Sequence, residues 1–197
     1  MHPVAVSVLT ERSLSALQGK LVVSCQASKG DPLDDLDTLC RLATSVLRGG
    51  PGGLRAESPQ CVAAFRQLTS LPIIGLVKMH DSRGDVYITP GFASARSVSD
   101  AGADIIALDC TRRRLTEPEP WPEIVAKIHS VLGRAVCADI ATLDDALLAQ
   151  VAGADIVATT LRGYTADTKH VHAVVVGSAI TRPQTITERF VAATIPD

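Results

Sequence analysis

Ala101-Gly102-Ala103-Asp104-Ile105-Ile106-Ala107 returns as Ala152-Gly153-Ala154-Asp155-Ile156-Val157-Ala158. Each copy closes an amphipathic stretch with Ala-Gly and then enters a short apolar run. Glycine supplies the left-handed residue that stops a helix. The β-branched run after it reads as a fully buried parallel strand. The phrase is a helix-to-strand joint, and its return implies a chain of repeated helix–strand units.

Working outward, strand-like runs begin near Leu21, Gly53, Pro72, Asp104, Ala135, Asp155 and Ala173. Helical spacing lies between most of them. Leu36, Leu39, Cys40, Ala43, Val46 and Leu47 share one face, as do Val62, Phe65 and Leu68. Ile124, Val125, Ile128 and Val131 follow Pro120 and Pro122. Thr142 reads as an N-cap, with Asp144 and Asp145 in the first turn behind it. Residues 181–193 read as a last helix with Ile186, Phe190 and Val191 on one side. The alternation means a parallel α/β fold, and seven or eight such units fit a barrel better than an open sheet, although spacing alone does not decide between them. The whole chain, residues 1–197, reads as a single barrel domain. One connection departs from the pattern. Residues 161–171 join the sixth and seventh runs without an amphipathic helix.

Composition narrows the function classes. Of 197 residues 46% are hydrophobic, enough for a large core, and aromatics are few. The net charge of −2 argues against nucleic acid or an acidic membrane as partner. The run Arg112-Arg113-Arg114 reads as a solvated loop. Five cysteines form no CxxC pair and no zinc spacing, and read as small buried residues in a reducing compartment. Residues 1–20 lack the pattern of a signal peptide, and no run has the length of a membrane span. The expectation is a cytoplasmic protein.

The ends of the strands carry the chemistry. The runs lead into Gln26, Arg55, Lys78, Asp109, Asp139 and Thr159-Thr160. In a barrel all of these face one mouth. Lys78 is the expected catalyst: a lysine emerging from a β-branched core loses proton affinity by desolvation. It can then take a proton beside a carbonyl or form a Schiff base. Its structural alternative is an ion pair with Asp109 or Asp139. Val174-Val175-Val176 runs into Gly177-Ser178 before the last helix, a turn that suits phosphate. Cys25 has no histidine placed to activate it and reads as core. His170 and His172 flank Val171 without an evident third metal ligand.

These residues, in this order, resemble the bacterial N-acetylmannosamine-6-phosphate 2-epimerases. The matching phrases include Val23-Ser24-Cys25-Gln26-Ala27, Gly53-Leu54-Arg55-Ala56, Leu71-Pro72-Ile73-Ile74-Gly75-Leu76-Val77-Lys78, Asp85-Val86-Tyr87-Ile88-Thr89-Pro90, Ala138-Asp139-Ile140-Ala141-Thr142 and Thr159-Thr160-Leu161-Arg162-Gly163-Tyr164-Thr165. The resemblance implies an α/β TIM (β/α)8-type barrel, seven strands of which are readable in this chain, and an enzyme that inverts C2 of N-acylated hexosamine 6-phosphates in sialic acid breakdown. It implies no metal and no organic cofactor. It makes Lys78 the acid–base residue, and Gln26, Arg55, Asp139 and Arg182 the residues that hold the sugar. Gly177 and Ser178 match part of its phosphate loop. The departure falls at residues 161–171, where the family carries a seventh strand ending in Ala-Glu-Gly and the helix after it. The family's catalytic glutamate has no counterpart here, which leaves a phosphosugar-binding remnant without turnover as the rival reading. Aldolases and pentose-phosphate epimerases fit Lys78 and Gly177-Ser178 but not the other phrases. Exchange of the last helix between subunits would be a route to a homodimer.

Overall fold

The computed structural model describes residues 8–80, 86–161 and 174–176. Six α-helices are described: α1 (Val8–Leu17), α2 (Leu36–Arg48), α3 (Pro59–Leu68), α4 (Phe92–Asp100), α5 (Trp121–Lys127) and α6 (Leu143–Val151). The strands are β1 (Leu21–Ser24), β2 (Gly53–Glu57), β3 (Ile73–Leu76), β4 (Lys78–His80), β5 (Val86–Ile88), β6 (Ile105–Asp109), β7 (Ala135–Asp139), β8 (Ile156–Ala158) and β9 (Val174–Val176). Seven of them form one parallel sheet in the order β8-β7-β6-β3-β2-β1-β9. The first six strands of this sheet, β1 to β8 in chain order, pair one after another. The last, β9, returns to the first, β1. That is the pairing scheme of a (β/α)8-type barrel. Among the described residues no ladder joins β8 to β9. The seven expected parallel strands are all present, while residues 162–171 of the expected helix-free connection and the expected last helix, 181–193, lie outside the described residues.

Period-two alternation sorts the side chains into two cores. Leu54, Ala56, Ile73, Ile106, Leu108, Val136 and Ala138 pack outward against Leu39, Val62, Phe65, Val98, Ile124 and Ala149 of the helices. Their neighbours Val22, Ile74, Leu76, Ile105, Ala107, Ala135 and Cys137 form a separate inner cluster. Leu17 of α1 joins that inner cluster, fully buried, and so closes the amino ends of the strands. Its approach needs Gly53, because a Cβ there would lie 2.8 Å from Leu17 Cδ2. The sequence reading did not find α1. It also missed the antiparallel hairpin β4–β5, whose Val86 and Ile88 pack on the inner cluster.

The repeated phrase builds the same joint twice. Gly102 and Gly153 take φ of 105° and 91° after α4 and α6, as the helix stop requires. The aspartate that follows then clamps the preceding strand. Asp104 accepts from Ile73 N–H at 2.9 Å and from Arg66 of α3 at 2.6 Å. Asp155 accepts from Val136 N–H at 2.7 Å and lies 2.8 Å from His129 Nε2. Each carboxylate thus ties a strand start to the helix that led into it. Thr142 and Asp145 complete a reciprocal capping box at α6, as its spacing predicted.

Asp104→Ala removes a backbone hydrogen bond and a charged one. It is expected to lower unfolding free energy by about 1–3 kcal/mol in urea titration. An unchanged midpoint would show that the clamp carries no stability.

Candidate active site

Arg55 and Asp139 meet inside the curled sheet. Arg55 Nη1 and Nη2 donate to the two Asp139 oxygens at 2.9 and 2.5 Å. Their strands, β2 and β7, are separated by β3 and β6. Only inward curvature brings such side chains together. Both groups are essentially dry, with side-chain exposures of 5% and 0%. Burial disfavours the Arg55 charge, but the adjacent carboxylate outweighs it and holds the guanidinium proton above its ordinary range.

Lys78 occupies the same rim. Leu76 faces inward, so Lys78, two residues on, belongs to that face. Its Nζ lies 2.9 Å from Glu57 Oε2, and both side chains are about a quarter exposed, at 24% and 28%. This corrects two expectations. The amine is partly solvated rather than sealed in apolar surroundings, and its partner is Glu57 rather than Asp109 or Asp139. Thr89 pins the backbone just before it. Thr89 N–H donates to Val77 O at 2.7 Å, and Thr89 Oγ1 accepts from Val77 N–H at 3.2 Å.

The other strand ends add polar groups. Gln26 Nε2 donates to Ser24 Oγ at 2.7 Å. Asp109, fully buried, accepts from Thr111 Oγ1 at 2.6 Å and from Arg113 at 2.7 Å. The arginine run is solvated only in part: Arg112 and Arg113 are exposed, but the segment is not an irregular loop. It forms a 3-10 turn, Arg112–Arg114, in which Arg113 stacks on Tyr87 and Arg114 is fully buried. Arg114 donates to Glu117 at 2.7 Å and to Pro90 O. Arg113 and Arg114 thus fasten the turn after β6 to the carbonyls of Val86 and Pro90, whereas the sequence offered only three adjacent charges. A groove on this rim is lined by Thr111, Arg113, Thr142 and Asp145. Gly177, Ser178, Arg182, His170 and His172 lie outside the described residues. Thr159 and Thr160 are exposed. No cluster of His, Cys, Asp or Glu with a metal-binding arrangement occurs among the described residues.

The family model described as "Putative N-acetylmannosamine-6-phosphate epimerase" matches residues 39–173. The chain belongs to this family. A relative from Synechococcus elongatus, named as an N-acetylmannosamine-6-phosphate 2-epimerase, is 43% identical over 160 residues. That match takes in 81% of this chain and 69% of the relative. A relative of the same name from Clostridioides difficile is 35% identical, with 91% of this chain and 98% of the relative covered. Its alignment runs over 219 positions, more than the 197 residues of this chain. The relative therefore carries positions that this chain lacks. The solved structure of the N-acetylmannosamine-6-phosphate 2-epimerase from Clostridium perfringens superposes with a TM-score of 0.82 at 30% identity. It covers 91% of this chain and 95% of that one. The barrel inferred from spacing is thus the family's fold.

The residue missed from the sequence is Glu57. Strand periodicity was the signal: Arg55 faces inward, so the side chain two positions on does too. The expected core role of Cys25 stands. Burial pushes the Cys25 and Cys137 thiols up to about 12 and raises Cys110 as well. Native protein at pH 8 is expected to react with a thiol reagent first at half-exposed Cys40, and at Cys25, Cys110 and Cys137 only on unfolding. Mass mapping of the labelled sites checks this. Asp139→Ala strands a buried guanidinium and is expected to cost about 3–5 kcal/mol in denaturant titration. Asp139→Ala at wild-type stability would remove the ion pair from any role in holding the barrel.

Proposed function

We propose that this protein interconverts N-acetylmannosamine 6-phosphate and N-acetylglucosamine 6-phosphate by moving the proton on C2. The observation that carries the reading is Lys78 on the inner rim, 2.9 Å from Glu57 and in the same ring as the Arg55–Asp139 pair. C2 of the open-chain sugar lies beside the C1 carbonyl, so its proton is acidic enough to remove. Lys78 Nζ takes that proton. The C–H electron pair forms the C1–C2 double bond of an enolate, with the negative charge on O1. A proton returned to the opposite face of planar C2 completes the inversion. With one base, the enolate turns its other face to Nζ between the two transfers.

The neighbouring groups have distinct tasks. Arg55, held flat by Asp139, is the cation for the developing oxyanion. Gln26 and Asp139 hold sugar hydroxyls, and Arg182 contributes from beyond β9. Gly177 and Ser178 take the phosphate through backbone N–H groups. The substrate class suits a place in sialic acid breakdown. Five free cysteines support a reducing, cytoplasmic setting, and no described helix is long and apolar enough to cross a membrane. We further read the chain as one domain, with a homodimer through its last helix.

Incubation with N-acetylmannosamine 6-phosphate in heavy water tests the reading. NMR is expected to show loss of the C2 proton signal and growth of the gluco epimer. Lys78→Ala is expected to lose turnover by about 100-fold or more while keeping its near-UV circular dichroism. Full exchange in that variant would remove Lys78 from the chemistry. Binding without exchange in the wild type would favour a phosphosugar receptor.

A further inference from the structure

Glu57 is absent from every expected role, yet it holds the catalytic amine. We propose that Glu57 is a positioning residue that aims Lys78 at C2 and stabilises the ammonium formed there, a role that rests on Lys78 acting at C2. Three observations place it. First, the β2–β3 register sets Glu57 opposite Leu76, so Lys78 is its diagonal neighbour on the same face. That spacing lets two long side chains meet, and the 2.9 Å contact shows that they do.

Second, the other carboxylates of the ring are engaged elsewhere. Asp139 is bound through both oxygens to Arg55. Asp109 is held by Thr111 and Arg113. Among the described residues, Lys78 is therefore paired with Glu57 and with no other acid.

Third, the backbone behind Glu57 is fixed at a cost. Ser58 has φ 74°, a left-handed value that non-glycine residues rarely adopt. Its N–H donates to Leu76 O at 2.8 Å, and its Oγ caps α3 by accepting from Cys61 N–H at 3.2 Å. These bonds fasten the end of β2 to β3 at the residue opposite Glu57. Strain held by surrounding bonds at such a junction is typical of functional sites.

Chemically, Glu57 forms no bond to the sugar and takes no proton in the step. Lys78 Nζ removes the C2 proton, and the C–H electrons become the enolate double bond. The new ammonium donates to the Glu57 carboxylate, a charge-assisted hydrogen bond that strengthens as the charge develops. The contact is therefore stronger in the transition state than with the free amine, which is the condition for raising kcat.

The test compares wild type, Glu57→Gln, Glu57→Asp and Lys78→Ala, with steady-state kinetics and C2-deuterated substrate. Glu57→Gln, nearly isosteric, is expected to lower kcat by about 10- to 100-fold, the range a hydrogen bond to a charged group carries. KM should stay within about twofold, and the isotope effect on kcat should rise as proton transfer becomes limiting. Glu57→Asp should recover part of kcat by keeping the charge. Wild-type kcat in Glu57→Gln, with Lys78→Ala inactive, would overturn this role and leave the epimerase reading intact. A fall in urea midpoint that tracks the loss of kcat, with an unchanged isotope effect, would show a structural role and also overturn it. A wild-type enzyme that exchanges no C2 proton would overturn both.

Discussion

The Arg55–Asp139 ion pair is the contact on which the molecule's geometry rests. It joins side chains from strands that two others separate, so it exists only when the sheet is curled. Two charges withdrawn from water repay their desolvation only in good geometry, and the two-point contact supplies it. The pair also divides the inner face. Below it lie aliphatic residues such as Ile74, Ile105 and Ala135, sealed by Leu17. Level with it lie Lys78, Glu57 and Asp109. The apolar floor is buried core, and the polar groups collect at the rim.

The outer joints serve a complementary purpose. Asp104 and Asp155 each bind an amide at the start of a preceding strand, Ile73 or Val136, and a basic side chain before that strand, Arg66 or His129. Strand starts at the floor are thereby held in register, and register decides which residues reach the rim. A slip of one residue would send Arg55 outward into the helical layer and bring Leu54 inward.

Much of the fold was legible because parallel strands buried on both faces are near-continuous apolar runs, and β3, β6 and β7 stand out that way. The first helix was hidden because residues 1–20 were weighed only for targeting. The hairpin was hidden because Lys78 looked like the end of one strand, although it starts another. In the site, Arg55, Lys78 and Asp139 were legible as polar residues that end apolar runs. Their partners were not, since Arg55 finds Asp139 through curvature, a property of the closed shape. Glu57 is within reach of the two-residue period but stands behind Arg55, the first polar residue of its strand. The three arginines looked alike in sequence and differ in the fold because Tyr87, Asp109 and Glu117 sort them.

The sheet order has a topological consequence. In a closed ring of strands each member has two neighbours, so removing one unit breaks two ladders and leaves the rest as a continuous ribbon. Here β9 still lies beside β1 in register, Leu21 opposite Val174. The strands β1, β2, β3, β6 and β7, which contain or lead into Gln26, Arg55, Lys78, Asp109 and Asp139, are consecutive in that sheet. Every ladder between them is formed, so the polar residues at their carboxyl ends keep a fixed order around the curled sheet.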